Sequence, residues 1–120
     1  MQIDIQARDF SLTKALRGHI RRRLYFSLST RADHIQRVMV RLSDTNGPRG
    51  GEDKRCQIQV RLPHLPDVVI EDTEENLYTA IDRAADRAGR TVGRRLSRRR
   101  QIRTSRQRGL APIAELPEMT

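Results

Sequence analysis

The chain has 120 residues, of which 24 are Lys or Arg and 15 are Asp or Glu, so its formal net charge is +9. This length suits one domain, the single cysteine excludes an internal disulfide, and no stretch approaches the roughly 20 apolar residues of a membrane span. We therefore expect one cytoplasmic domain, without a secretory signal, whose partner is a polyanion.

Arginine carries almost all of the positive charge, because Lys14 and Lys54 are the only lysines. A guanidinium group offers a planar fork of donors that fits phosphate, and it also stacks on nucleic-acid bases. A genome rich in G and C would favour arginine over lysine as well. The placement of the arginines on the predicted helices, however, favours a surface for nucleic acid.

Two elements are predicted in the first quarter of the chain. Residues 2–7 alternate between polar and apolar side chains, which predicts a strand with one buried face. From residue 13 to about residue 28, leucine and isoleucine repeat every four positions, which predicts a helix with one apolar stripe. Asp9 or Ser11 is placed to cap this helix.

The middle of the chain predicts three further strands. Residues 35–43 and 55–62 alternate clearly, and residues 68–71 form a short strand after a turn with two prolines. Residues 44–54 are rich in glycine and contain a proline, so they predict a loop. Because no crossover helix fits between these strands, we expect them to pair in antiparallel fashion.

A second helix is predicted from residue 72 or 73 to about residue 101, with Glu74 and Glu75 well placed at its positive end. Residues 104–120 contain glycine, prolines and two acidic residues, and they predict a flexible tail. Residues 1–103 are then the folded domain.

The predicted element order is β-α-β-β-β-α, which indicates an α+β domain with a four-stranded sheet and two helices packed on one face. The opposite face of the sheet should be in contact with water. Its polar side chains are predicted to be Gln2, Asp4, Gln6, Arg55, Gln57, Gln59 and Arg61.

The second helix should carry two separate stripes, since successive residues are about 100° apart. The apolar stripe consists of Leu77, Ile81, Ala84, Ala88, Val92 and Leu96. The basic stripe consists of Arg83, Arg87, Arg90, Arg94 and Arg98, with Arg95 beside it. No Asp or Glu occurs between Arg87 and Arg108. Such a run of like charge destabilises a helix alone, so it indicates an external polyanion.

The first helix adds a smaller basic patch, which consists of Lys14, Arg17, Arg21, Arg22 and Arg23. If both helices cover the same face of the sheet, the two patches could form one positive field. No helix-turn-helix, zinc-finger or zipper pattern is present, and aromatic residues are sparse for a base-stacking platform. We therefore expect recognition of structured RNA through its backbone and shape.

Two segments carry a family resemblance. Residues 13–20 read Thr-Lys-Ala-Leu-Arg-Gly-His-Ile, and residues 76–82 read Asn-Leu-Tyr-Thr-Ala-Ile-Asp at the start of the basic helix. Together with the element order, they resemble the family of ribosome hibernation promoting factors and ribosome-associated inhibitors, which is also known as the sigma-54 modulation protein family. The resemblance covers residues 1–103.

The resemblance implies a fold similar to double-stranded RNA-binding domains. It also implies binding to the rRNA of the small ribosomal subunit in the channel for tRNA and mRNA, which would silence ribosomes in stationary phase or under stress. The basic positions that it assigns to RNA binding are Arg17, Arg23, Arg87, Arg90, Arg94 and Arg98. The others, Lys14, Arg21, Arg22, Arg83 and Arg95, are added from their places on the helices. The chain is too short for the second, dimerising domain of long members, so we expect a short, monomeric member.

No residue pattern points to catalysis. The three histidines and Cys56 lack the spacing of metal ligands, and Asp82 and Asp86 each have arginines within one helical turn. We expect no catalytic residue, metal, cofactor, small-molecule substrate or membrane contact. Two alternatives stay open: a general structured-RNA-binding protein or RNA chaperone that is not tied to ribosomes, and a metal-dependent RNA-processing enzyme.

Overall fold

A computed structural model describes residues 1–8, 10–44 and 54–107, with side chains up to residue 98. The elements are, in chain order, β1 (Gln2–Arg8), α1 (Lys14–Leu28), a short 3-10 helix (Ser29–His34), β2 (Arg37–Asp44), β3 (Lys54–Arg61), β4 (Val68–Glu74) and α2 (Leu77–Gln107). The predicted β-α-β-β-β-α order and α+β class are confirmed.

The four strands form one mixed sheet in the order β1-β2-β3-β4. The antiparallel pairing expected for β2, β3 and β4 is confirmed, whereas β1 is parallel to β2. The reason is that α1 lies between β1 and β2 in sequence and carries the chain back to the same end of the sheet. In this register Ile3, Val38, Val60 and Val68 form one apolar row across all four strands.

The core lies between the helices and one face of the sheet. Leu16, Ile20, Leu24 and Leu28 of α1 are buried in one core cluster with alternate residues of β2, β3 and β4. From α2 the buried residues include Ala80, Ile81, Ala84, Ala85, Ala88 and Val92. The predicted apolar stripes therefore face the sheet, although Leu77 and Leu96 at the ends of the α2 stripe are only partly buried.

The helix boundaries differ from the predicted ones for identifiable reasons. The Oγ1 atom of Thr13 accepts a hydrogen bond from the Leu16 N–H at 3.1 Å, so Thr13 caps α1 in place of the predicted Ser11. The second helix starts later than predicted because β4 continues through Glu74. The side chain of Asn76 then accepts a hydrogen bond from the Tyr78 N–H at 2.8 Å.

At its far end α2 continues to Gln107, beyond the predicted end near residue 101 and beyond the predicted domain boundary at residue 103. Residues 108–120 of the predicted tail lie outside the described residues, as do Asp9 and residues 45–53 of the predicted loop. Among the helices that the structure describes, none is both long enough and apolar enough to cross a membrane.

Candidate nucleic-acid interface

The five arginines of the predicted basic stripe, called here the α2 arginine row, are all exposed: Arg83, Arg87, Arg90, Arg94 and Arg98. They are exposed because alanines and Val92 on the other side of α2 are packed against the sheet and α1. At a rise of 1.5 Å per residue, the row extends over about 22 Å. A row of this length is suited to an extended partner rather than to a single small anion.

The first two arginines of the row fasten α2 to β4. Arg83 Nη1 lies 3.5 Å from Glu74 Oε2. Arg87 Nη1 donates a hydrogen bond to the Glu71 carbonyl at 3.1 Å and lies 3.6 Å from Asp72 Oδ1. Burial and the neighbouring Glu74 carboxyl raise the pKa of Asp72, against the opposing effect of the two guanidinium groups. Part of the charge in this half of the row is thus compensated within the fold.

The last three arginines of the row have little compensation. Arg90 Nη2 lies 3.9 Å from Asp86 Oδ2, one helical turn away. Because this ion pair is exposed to solvent, it contributes little to stability. Arg94 Nη2 donates to Thr91 Oγ1 at 3.3 Å, and Arg98 has no partner among the described residues. Arg90, Arg94 and Arg98 therefore present guanidinium groups that are available to an external anion.

Arg95 lies beside the row, but it is directed at the turn between β3 and β4. Its Nη1 atom donates hydrogen bonds to the carbonyls of Pro66 at 2.8 Å and Asp67 at 3.0 Å. Arg95 is partly buried in this position. Its contacts hold the second half of α2 on the sheet, and a role of Arg95 in RNA binding stays a prediction.

The arginines of α1 point in different directions. Arg23 faces α2, where its Nε atom lies 3.2 Å from Asp82 Oδ1. His19 Nε2 lies 2.6 Å from the same oxygen, and the His19 ring meets the Tyr78 ring edge-on at 4.8 Å between centroids. Arg23 and His19 thus link the two helices at the start of α2.

Arg17 and Arg21 lie on the other side of α1, over the edge of the sheet. They line a groove with residues of β1 and β2, among them Asp4, Arg37 and Arg41. Arg37 Nε is 2.6 Å from Asp4 Oδ2 in this groove. No described α2 residue lines it, so the structure places Arg17 and Arg21 apart from the α2 arginine row. Lys14 and Arg22 are exposed on the outer side of α1.

One basic residue near the row was missed from the sequence. Arg31 belongs to the 3-10 helix, and its guanidinium group lies against Gly93 of α2. It lines a concave surface together with Arg90, Arg94 and Arg98. The available signal was Gly93 itself, because a glycine inside a helix often marks the close approach of another group.

The chemistry that this surface offers is anion binding. Guanidinium groups donate hydrogen bonds and stay protonated, so they do not serve as acid–base catalysts. Within the described part of the chain, no three His, Cys, Asp or Glu side chains are grouped as metal ligands would be. Cys56 is buried in the core and away from this surface.

Comparisons with known proteins concern the family and the fold of the chain. The family model described as sigma-54 modulation protein / S30EA ribosomal protein matches residues 3–100. The fold is similar to a Thermus thermophilus Protein Y N-terminal domain, with a TM-score of 0.66, 30% identity and coverage of 78% of this chain and 98% of that one. It is also similar to a ribosomal subunit interface protein from Coxiella burnetii, with a TM-score of 0.70, 14% identity and coverage of 81% and 99%. Comparison with curated protein sequences gives no match.

Proposed function

Because the chain belongs to the sigma-54 modulation protein / S30EA ribosomal protein family of ribosome-associated proteins, we propose that it is a translation inhibitor acting on the small ribosomal subunit. It binds rRNA in the channel that holds tRNA and mRNA. An occupied channel blocks initiation, so ribosomes are silenced in stationary phase or under stress. In this role the protein acts in the cytoplasm as a monomer, without a cofactor and without turnover of a substrate.

The observation that carries the proposal is the second half of the α2 arginine row. Arg90, Arg94 and Arg98 are exposed at intervals of one turn, about 6 Å apart along the axis. Among the described residues, no acidic side chain of another element compensates them. A helix keeps such a row at a cost in stability, and phosphates would supply the missing negative charge.

The packing of α2 also makes this surface suitable for RNA. Each guanidinium group can donate two parallel hydrogen bonds to a phosphate, and each contact releases condensed counterions. Because the apolar stripe and Arg95 hold α2 on the sheet, the backbone under the row is ordered before binding. Only side-chain freedom is lost on association, which favours affinity.

Co-sedimentation with purified small subunits tests the proposal. The test variant changes Arg90, Arg94 and Arg98 to glutamine, which lowers the net charge from +9 to +6. A matched control makes the same change at exposed arginines of the sheet, and it consists of Arg8→Gln, Arg55→Gln and Arg61→Gln. We expect the row variant to lose at least about tenfold in affinity, or about 1.4 kcal/mol, and the control to lose much less.

Three other outcomes would contradict the proposal in different ways. Equal losses in the two variants would mean that bulk charge drives association. Binding to double-stranded RNA without binding to small subunits would favour a general structured-RNA-binding protein or RNA chaperone. Cleavage of RNA by homogeneous protein, abolished by a chelator, would instead indicate a metal-dependent enzyme. In a reconstituted translation reaction, the wild-type protein should inhibit initiation and the row variant should not.

A further inference from the structure

The guanidinium group of Arg31 lies against α2 at Gly93, where the absence of a side chain leaves room for it. A Cβ atom on Gly93 would be 2.7 Å from Arg31 Nη2, 2.9 Å from Cζ and 3.0 Å from Nε. Real Cβ atoms essentially never show contacts under 3.0 Å, so any side chain at residue 93 must displace Arg31. The glycine therefore determines where this guanidinium group lies.

The surroundings of Arg31 form a shallow and open basic depression, called here the Arg31 notch. Its described lining residues are Arg31, Arg90, Gly93, Arg94, Ser97 and Arg98. Four of the six carry a guanidinium group and none carries a carboxylate. Arg31 Nη1 donates only to the neighbouring Thr30 Oγ1, at 3.1 Å, and no described acidic group pairs with Arg31. Four positive charges around this shallow depression, with no carboxylate in its described lining, favour the binding of an anion.

We propose that the Arg31 notch binds a single backbone phosphate of RNA, with Arg31 as the residue that fixes its position. The proposal rests on the proposed function for the identity of that RNA as rRNA, whereas the phosphate chemistry follows from the notch. Arg31 is partly buried against Gly93, so less side-chain freedom is lost when it binds than for the exposed arginines of the row.

The notch also adds something that the row cannot provide. The arginines of the row all belong to one helix, so an RNA strand that follows them can still turn about the α2 axis. Arg31 comes from the 3-10 helix after α1, beside the row rather than in it. A phosphate held by both elements is fixed in rotation as well as along the axis, which gives the complex a single orientation.

The sharpest test is Gly93→Ala, because it leaves the charge unchanged and is expected to weaken binding without lowering stability. Alanine is the better helix former, and its Cβ meets only the far end of a flexible side chain, so the thermal midpoint should stay or rise. Displacement of Arg31 should nevertheless weaken binding to a synthetic double-stranded RNA hairpin about tenfold. Gly18→Ala is the matched control, because its Cβ would meet only Arg22 Nη1, at 3.3 Å. It should stabilise the protein and change the affinity much less than Gly93→Ala, because the Arg22 side chain has to move by only a few tenths of an ångström.

Arg31→Gln gives an independent measurement of the same site. It should weaken hairpin binding as much as Gly93→Ala and reduce the slope of log affinity against log salt by about one. In a double-mutant cycle the two changes should not add, because both remove the same contact. Unchanged affinity of Gly93→Ala, or additive losses in the double variant, would overturn the proposal that the Arg31 notch binds a phosphate.

The notch and the proposed function can fail separately when hairpins and small subunits are both measured. If hairpin binding depends on Arg31 and Gly93 but small subunits are not bound, the notch stands and the ribosomal role is wrong. If small subunits are bound equally by wild type, Arg31→Gln and Gly93→Ala, the ribosomal role stands and the notch is wrong.

Discussion

The distance between α1 and α2 depends on Gly89, and replacing this glycine with alanine should destabilise the domain. A Cβ atom at residue 89 would lie 2.7 Å from the carbonyl oxygen of Ser27 and 3.1 Å from the Ser27 Cβ atom. Ordinary van der Waals contact begins at 3.4 Å. Because the nearest atom belongs to the α1 backbone, the clash cannot be relieved by a side-chain rotation, and the helices must move apart.

The magnitude follows from two opposing contributions. Alanine in place of glycine favours a helix by about 1 kcal/mol. Forcing extra atoms into a packed interface costs about 1–3 kcal/mol, so the net loss in the free energy of unfolding lies between about 0 and 2 kcal/mol. For a domain of this size, each kcal/mol shifts the thermal midpoint by roughly 4–8 °C. Gly18→Ala has the same gain in helix propensity without a clash against backbone. Its thermal midpoint should therefore rise, by the same number of degrees for each kcal/mol gained.

Thermal unfolding followed by far-ultraviolet circular dichroism, with the three variants Gly18→Ala, Gly89→Ala and Gly93→Ala in one buffer, checks this reasoning. Gly89→Ala should unfold at a lower temperature than wild type, while the other two unfold at the same or a higher temperature. If Gly89→Ala is as stabilising as Gly18→Ala, the two helices are not in the close contact described here.

Three further predictions follow from individual groups. The pKa of Asp72 is raised in the folded state, so the stability that its protonated form contributes is lost as the pH rises through that pKa, although Arg87 and Arg83 offset part of the loss. In Asp72→Asn this fall in the free energy of unfolding should be absent, which urea unfolding at a series of pH values checks. Burial raises the pKa of Cys56 to about 12, so its thiol should react with a disulfide reagent at mildly alkaline pH only after unfolding. Affinity for small subunits should fall steeply as the salt concentration rises. In the variant that lacks Arg90, Arg94 and Arg98, the slope of log affinity against log salt concentration should be smaller by roughly 2–3. An equal slope would show that these arginines do not contact phosphates.

Most of the fold could be predicted because its signals are local. The alternation in β3 and the four-residue repeat in α1 give each element its type and its buried face, and both faces agree with the structure. The parallel pairing of β1 with β2 was not predicted, although a helix was recognised between the two strands. The start of α2 was harder to predict, because residues 72–74 extend β4 through pairing with β3, which a helix-capping pattern does not reveal.

The composition of the candidate site could be predicted only in part. Helical geometry identifies the exposed row, because exposure depends on the face of a single helix. The surroundings of Arg31 and Arg95 depend on contacts between distant segments. Arg95 meets Pro66 and Asp67 in a turn about thirty residues earlier, and Arg31 meets Gly93 about sixty residues later. Nothing in the spacing of the arginines distinguishes a residue that holds the fold from one that faces an external anion.

The distribution of acidic residues explains how one helix serves both purposes. In the first half of α2, Arg83 and Arg87 face Glu74 and Asp72 of β4, so their charge is used to attach the helix to the sheet. Beyond Asp86 the chain has no acidic residue before Glu115, and β4 has already ended. Among the side chains that the structure describes, the arginines of this second half have one acidic partner, Asp86 beside Arg90. Arg31 adds a further positive charge at the same end, where the fold supplies no counter-charge among the described residues. The attached half therefore orders the helix, and the uncompensated half is the part in which an anionic partner gains the most by binding.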